Sequence, residues 1–509
     1  MPFSPDPSRR SLLSLVLSAA SAPALVACGR LGDPTPCFTL GVASGCPRPD
    51  SIVLWTRLSP DARPAPNEPV GWELAEDEAF RRIVRRGSVT AEADWGHSVH
   101  LQPLGLSPGR WYWYRFFAMG QVSATGRTRT APAPGSLEPV TFAIGSCQRW
   151  DHGHYAAWRH LADESPDLVL FLGDYIYEYP SLPGAVRRHE GLVGTHTLAQ
   201  YRARYAQYKS DPDLQRIHAS APWLVTWDDH EVQNDYAADH SPVLNRRFLR
   251  RRLQAYRAWW EHMPLPPATR PVGSGLQVFD RFDWGALARF HVLDTRQYRD
   301  PQACALPGLG GGNTVDLADC PALAEPHRSL LGAAQEQWLA DGLGQGSARW
   351  DFIAQQALMA PFTWRADAAR HWTDGWSGYP AARQRLLDTL AARRVANPVV
   401  LGGDAHANYV CDLHQRADDP GTPVIASEFC GTSISSRGRS QARLDEALPW
   451  NPHVRYGRTD ERGYVAFRLQ AERLEARLRV VSDAADPGAT IRTAARFEVA
   501  AGRPGAARA

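Results

Sequence analysis

Four apolar runs in this chain each end on a side chain able to bind a metal. Cys147 closes "FAIGSC", Asp174 closes "VLFLGD", Asp229 and His230 follow "LVTWD", and Asp404 with His406 follows "VVLGG". Short runs rich in Val, Ile, Leu and Phe read as buried strands. In layered α/β domains the chemistry gathers outside the carboxyl ends of such strands. One polar residue there is ordinarily a cap or a turn; four strand ends carrying the same kind of residue make a site.

Between these runs lie helical stretches, "HYAAWRHLADE", "TLAQYRARYAQYK" and "NRRFLRRRLQAYRAWWEHM", so the segment from 137 to 499 reads as a layered α/β domain with helices packed on sheets. "GYVAFRLQ" and "RLEARLRVVS" read as a closing strand pair, and residues 500–509 as a frayed tail. Residues 37–136 follow a different rule: short alternating segments such as "SIVLWTRLS" and "WYWYRFFAM" between turns, the pattern of a small antiparallel β-sandwich of immunoglobulin-like type. "TAPAPGSLEP" (130–139) reads as the linker.

Residues 1–36 read as leader and linker. "SRRSLLSLVLSAASAPALVAC" (8–28) has an arginine pair, an apolar segment too short and small-residue-rich to span a membrane, and a cysteine after "LVA". This is the pattern of a twin-arginine export signal. Cys28 then becomes a lipidated N-terminus or, with a plain cleavage site near Ala24 or Ala27, is lost or left in a frayed tail. The expected location is the periplasm, cell surface or exterior, with the twin-arginine translocase as a transient partner. An oxidising compartment permits disulfides. Cys37 with Cys46, Cys304 with Cys320 and Cys411 with Cys430 are the pairs suggested by proximity, which leaves Cys147 for another role.

Net charge is close to zero, at +2, so bulk electrostatics point to neither nucleic acid nor an anionic membrane. Lys209 is the single lysine among 56 basic residues, and the Arg-rich run 245–252 reads as a solvated helix face. In "FLGDYIYEYP" Tyr177 stands three residues beyond Asp174, so one turn can deliver a bridging carboxylate and a phenolate. A phenol with an ordinary pKa of about 10 ionises at neutral pH only beside a strong Lewis acid, which favours Fe(III). The competing readings are an inert buried thiol at Cys147, ring packing of Tyr177 beside Tyr175 and Tyr179, a structural His230, and a helix cap at Asn234.

"FTLGVASGCPRPDSIVLWTRLSP", "FAIGSCQ", "LGDYIYEYP", "TWDDHEVQNDYA", "LDTRQYRD", "DGWSGYPAARQRLL" and "GGDAHAN" stand in the order seen in the PhoD-type alkaline phosphatases, which the chain resembles from about residue 38 onward. The resemblance implies an α-β-β-α metallophosphatase domain, distantly related to purple acid phosphatases, with one ferric and two calcium ions and activity on phosphomonoesters and phosphodiesters. It assigns Cys147, Asp174 and Tyr177 to iron, with Asp174 bridging to calcium, and Asp229 and Asn234 to the calcium side. His230 contacts phosphate, and Asp404 and His406 complete the ligands. Cys46 stands where the family usually has aspartate. Arg296 is open between a phosphate contact and an ion pair with Asp294 or another acid, and residues 374–380 between pocket mouth and core. His152, His154 and His371 have no assigned role.

The implied reaction is in-line attack on phosphorus by a metal-activated hydroxide, with His230 hydrogen-bonding the phosphate or protonating the leaving oxygen. The alternatives are a dedicated phosphodiesterase or phospholipase-type hydrolase, or a non-enzymatic surface protein with structural metals.

Overall fold

Phe142 lies at the centre of the molecule. Its ring stacks on Phe467 at 4.7 Å in its own sheet and meets Phe290 and Phe352 of a second sheet edge-on, at 5.3 Å each. The two sheets therefore pack face to face through aromatic side chains. The computed structural model describes residues 35–509 except 274, 345, 347 and 365–369. The export signal and Cys28 lie outside the described residues.

The first sheet has ten strands and the second seven. At the heart of the first, Val140–Gly145, Leu168–Leu172 and Pro222–Thr226 run parallel. In the second, Ala288–Val292, Trp350–Ala354, Pro398–Gly402 and Val424–Cys430 do so. These are the apolar runs of the sequence, buried on both faces as parallel strands require. Helices Ala156–Asp163 and Pro212–Ser220 cover the outside of the first sheet, where Trp158 meets Trp223 at 5.4 Å and Phe171 at 6.1 Å. Helices Ala333–Gly342 and Pro380–Ala392 cover the second through Leu339, Leu386, Leu387 and Leu390. The layering is α-β-β-α, as the sequence leads one to expect.

The N-terminal all-β region is a sandwich. A sheet built from Asn67–Ala75, Ile83–Glu92 and Trp111–Ala118, with two short partners, packs Val70, Leu74, Tyr112, Tyr114 and Phe116 against Val42, Leu54, Val99 and Leu101. Its second layer, Val42–Gly45, Val53–Arg57 and Ser98–Leu101, continues the ten-stranded sheet, because Ser44 pairs with Pro222 in parallel register. The boundary at 136/137 is thus not a boundary of the sheet. The whole of Pro36–Ala509 is one compact unit.

Three expectations are corrected. The segment 500–509 is not a frayed tail: Arg503–Arg508 pairs with Ile491–Ala500, and the Gly505 N–H donates to Ser427 Oγ at 3.0 Å. The long edge strand offers unpaired backbone groups that even a segment poor in apolar residues can satisfy. Of the three suggested disulfides, only Cys304–Cys320 forms among the described residues. Cys37 Sγ faces Ala118 O and Cys46 Sγ faces Pro264 O, while Cys411 and Cys430 stand opposite Glu428 and Tyr409 rather than each other. The Arg-rich helix face is solvated at Arg250, but Arg252 turns inward and donates to Ala238 O at 2.5 Å.

Candidate metal centre

The chain leaves three of the parallel strands in the same way. Cys147 (φ 56°), Asp174 (φ 59°) and Asp404 (φ 57°) all adopt the left-handed conformation just beyond Val140–Gly145, Leu168–Leu172 and Pro398–Gly402. For a side chain with a Cβ this region costs on the order of 1 kcal/mol or more, and such strain gathers at functional sites. Gly173 before Asp174 has φ +101°, and a Cβ there would lie 2.5 Å from Asp228 Cβ. The Gly-Asp pair is therefore a steric requirement of the turn.

These turns are tied together. The Cys147 N–H donates to Gly173 O and the Gln148 N–H to Asp174 O, both at 3.1 Å. The buried carboxylate of Glu231 accepts from the N–H groups of Asp174 (3.1 Å), Tyr175 (2.6 Å) and Asp228 (2.9 Å). From helix Leu198–Lys209, Arg204 donates to the carbonyls of Tyr177 and Tyr179. The turns are thus held by hydrogen bonds within the protein itself.

Three overlapping clusters of donors result: Cys147 with Asp174 and His406, Asp174 with Asp229 and His230, and Asp174 with Asp228 and Asp404; within each, the ligand atoms lie within 4.8 Å of one another. Asp174 is common to all three, the position a bridging carboxylate needs. Tyr177 Oη donates to Asp174 Oδ2 at 2.8 Å and lies 3.2 Å from His406 Nε2. His406 Nδ1 donates to the Arg437 carbonyl at 2.8 Å, which turns the Nε2 lone pair inward, the usual arrangement of a metal-ligating histidine. Burial pushes the His406 imidazole down to about 3, so it is neutral. His230 Nδ1 is 2.7 Å from Glu178 Oε2.

The site is over-supplied with negative charge. Burial raises Asp174 well above the usual carboxylate range, with Asp229, Glu231 and Asp404 adding to it, and burial with the neighbouring Asp229 carries Asp404 up to about 6. Burial also works against ionisation of Asp229, yet Arg296 and His230 hold it down at about 2. Among the described residues, Asp174 Oδ1 and Asp228 Oδ2 are buried with no hydrogen-bond partner. Orphaned carboxylate oxygens are costly in a protein interior. Cations resolve both problems at once, and the mixed sulfur, oxygen and nitrogen donors fit transition and hard ions together.

Cys147, Asp174, Tyr177, Asp229, His230, Asp404 and His406 are thus brought to one place. Asn234 is half-buried beside them; its N–H donates to Glu178 Oε1 at 2.8 Å, and it heads no helix among the described residues. Arg296 is not paired to the Asp294 carboxylate through its guanidinium. That group meets Asp228 at 2.5 Å, Asp374 at 2.8 Å and Asp229 at 3.5 Å, and the side chain is buried. Asp374 also pairs with Arg299 at 2.8 Å, so the 374–380 stretch begins in the charge network, and its Trp376 joins the core. The sequence reading passed over Asp228, Glu178 and Glu231. Asp228 was visible as the first acid of "WDDH"; nothing local marks the other two.

Comparison with known proteins shows the family and the fold. The profile of the PhoD-like phosphatase family matches residues 142–478, and that of its N-terminal domain matches residues 26–132. The chain is 43% identical over 479 residues to alkaline phosphatase D of Bacillus subtilis, covering 90% of this chain and 80% of that protein. A solved structure of PhoD superposes with a TM-score of 0.87 at 42% identity, over 93% of this chain and 92% of that one. A purple acid phosphatase from yellow lupin seeds shares the fold at a TM-score of 0.56 and 11% identity, over 91% of this chain and 74% of that one.

Proposed function

The chain belongs to the PhoD-like phosphatase family, a family of phosphoric ester hydrolases, and from that premise we propose how its own residues carry the reaction. It is an alkaline phosphatase of the D kind that depends on metal. In our reading it takes one Fe(III) and two Ca(II), and it cleaves phosphomonoesters and phosphodiesters. The observation that carries this reading is Asp174, common to all three donor clusters, with one oxygen left without a partner among the described residues.

Cys147, Tyr177 and His406 would hold iron with Asp174; Asp228, Asp229, Asn234 and Asp404 would serve calcium. Bound there, the cations would supply Lewis-acid neutralisation of phosphoryl oxygens and hydroxide near neutral pH. His230 holds a proton for the leaving oxygen or for a phosphate oxygen. Burial alone would strip that proton, but the carboxylates of Glu178, Asp174 and Asp229 outweigh burial and raise the imidazolium well above its ordinary range. Glu178, accepting from Nδ1, fixes the ring so that Nε2 is the working nitrogen. Burial excludes bulk water from most of these groups.

Export through the twin-arginine pathway fits a protein that folds around its metals before translocation, with Cys28 as the point of lipid attachment or, after plain cleavage, lost or left unmodified near the mature N-terminus. Elemental analysis of natively exported protein, with hydrolysis of mono- and diesters on the same sample, tests the reading. Iron near one equivalent with calcium in excess supports it; active protein without iron overturns the metal assignment. Mass spectrometry of the mature N-terminus decides the fate of Cys28.

A further inference from the structure

Beside the metal centre lies a cleft of about 380 Å³ lined by His152, Ser435, Arg437, Arg439, Arg462 and Asp483 among others. It adjoins the centre through a shared wall. The carbonyl of Arg437 accepts from His406 Nδ1 (2.8 Å), the N–H of Ser436 donates to Cys147 O (3.2 Å), and Ser435 Oγ donates to Arg149 O (2.9 Å). One face of the 435–437 segment positions a candidate metal ligand. The other borders the cleft.

The charge there is unbalanced. Among the described residues neither Arg437 nor Arg439 nor Arg462 makes an ion pair with a carboxylate. Two neighbouring acids are engaged by other arginines: Asp460 is held bidentately by Arg458 at 2.6 and 2.9 Å and Glu461 pairs with Arg492 at 2.6 Å, while Asp483 accepts from the Ala485 N–H at 2.8 Å and keeps its charge. Arg462 is buried and donates to Ser433 Oγ at 2.8 Å and to the carbonyls of Ser436 and Thr459, all neutral acceptors, with Asp460 and Glu461 acting on it from beyond direct contact. Among the described residues the Arg439 guanidinium lies over the Trp364 ring, 5.7 Å away. His152 Nδ1 accepts from the Arg437 N–H at 3.1 Å, which leaves the ring proton on Nε2. A buried guanidinium is ordinarily matched by an acid, and guanidinium forks match phosphoryl oxygens. Two acids, Asp460 and Asp483, also line the cleft, but with Asp460 held by Arg458 the three arginines outnumber the one carboxylate left without an arginine partner among the described residues, a balance that suits an anion.

We propose that this cleft is a second anion subsite, which binds a phosphoryl group of the substrate other than the one cleaved. The inference rests on the phosphatase reading and narrows it: the preferred substrates carry at least two phosphoryl groups, as bisphosphates and phosphodiester chains do. The scissile group lies at the metals and the distal one against Arg437, Arg439 and His152.

The test compares fructose 6-phosphate with fructose 1,6-bisphosphate on the metal-loaded enzyme, in wild type and in Arg439→Glu, an exposed side chain that touches no metal ligand. We expect a KM about tenfold or more lower for the bisphosphate in wild type, the scale of one charge-assisted contact. The variant loses that preference and keeps its kcat on fructose 6-phosphate. Equal KM values in wild type, or a variant that keeps the preference, overturn the subsite. If neither ester is hydrolysed, the phosphatase reading fails instead. Calorimetry with the bisphosphate then judges the cleft: affinity lost in Arg439→Glu supports it, and affinity absent or unchanged overturns it.

Discussion

The guanidinium of Arg296 lies 2.5 Å from the Asp228 carboxylate, and both side chains are buried. The same group reaches Asp374 and Asp229, so one cation compensates three acids from distant parts of the chain. Removing one partner of a buried ion pair costs about 3–5 kcal/mol. Arg296→Met should therefore destabilise the chelator-treated protein by that order in urea unfolding; a loss below about 1 kcal/mol would show that the acids find other compensation.

Asp174 serves all three donor clusters. Asp174→Asn keeps its volume and removes the charge, so metal content and turnover should fall together. A variant that hydrolyses phosphate esters while holding no metal by elemental analysis would overturn the scheme.

Among the described residues, Glu178 bonds to the centre through His230 Nδ1 and the Asn234 N–H. Loss of a partner of this kind typically costs about 10- to 100-fold. Glu178→Gln should lower kcat by that much with metal content retained and shift the pH profile, because the imidazolium loses its closest carboxylate. A variant with an unchanged profile would assign Glu178 a purely structural role.

Lys209, the single lysine, is buried with its ammonium 4.3 Å from the Trp55 ring centre and 5.4 Å from that of Tyr175. Burial lowers its pKa from 10.5 to about 7. The unfolded chain then binds more protons than the native one between these values, so this group's stability is complete above pH 10.5 and is lost as pH falls towards 7. Lys209→Met should be more stable than wild type at pH 7, on the order of a few kcal/mol, and the advantage should shrink towards pH 10.5. Denaturant melts of both proteins at the two pH values check it; an advantage that does not change with pH would sink the argument.

Cys304 and Cys320 close a loop of sequence separation 16. The chain-entropy account gives about 3 kcal/mol for a loop of this size. The double Cys→Ser variant should lose stability by that order. A denaturant midpoint unaffected by the substitution would mean that the loop unfolds independently of the rest.

The legible part of the site was the part written locally. A buried strand, a Gly-Asp turn and a tyrosine three residues on can be read from "LFLGDYIY", because each is a relation between near neighbours. The paired cysteines were misread for the opposite reason: Cys37 and Cys46 are close in sequence, yet their Sγ atoms face Ala118 and Pro264, and only the path of the backbone decides that. Glu231 was silent because its role is to accept from backbone N–H groups, one of them 57 residues away, and no side-chain pattern records such a debt.

Period and composition alone determined the strands, the helices and the ends at which the ligands sit, since burying apolar residues on both faces leaves parallel strands few other arrangements. Which charges balance which was decided only by the folded chain. Arg296 and Asp374 are 78 residues apart, and the cleft at Arg437, Arg439 and Arg462 is left cationic because Asp460 and Glu461 turn to other arginines. Electrostatic energy depends on distance and burial in space, quantities that a linear order of residues does not contain.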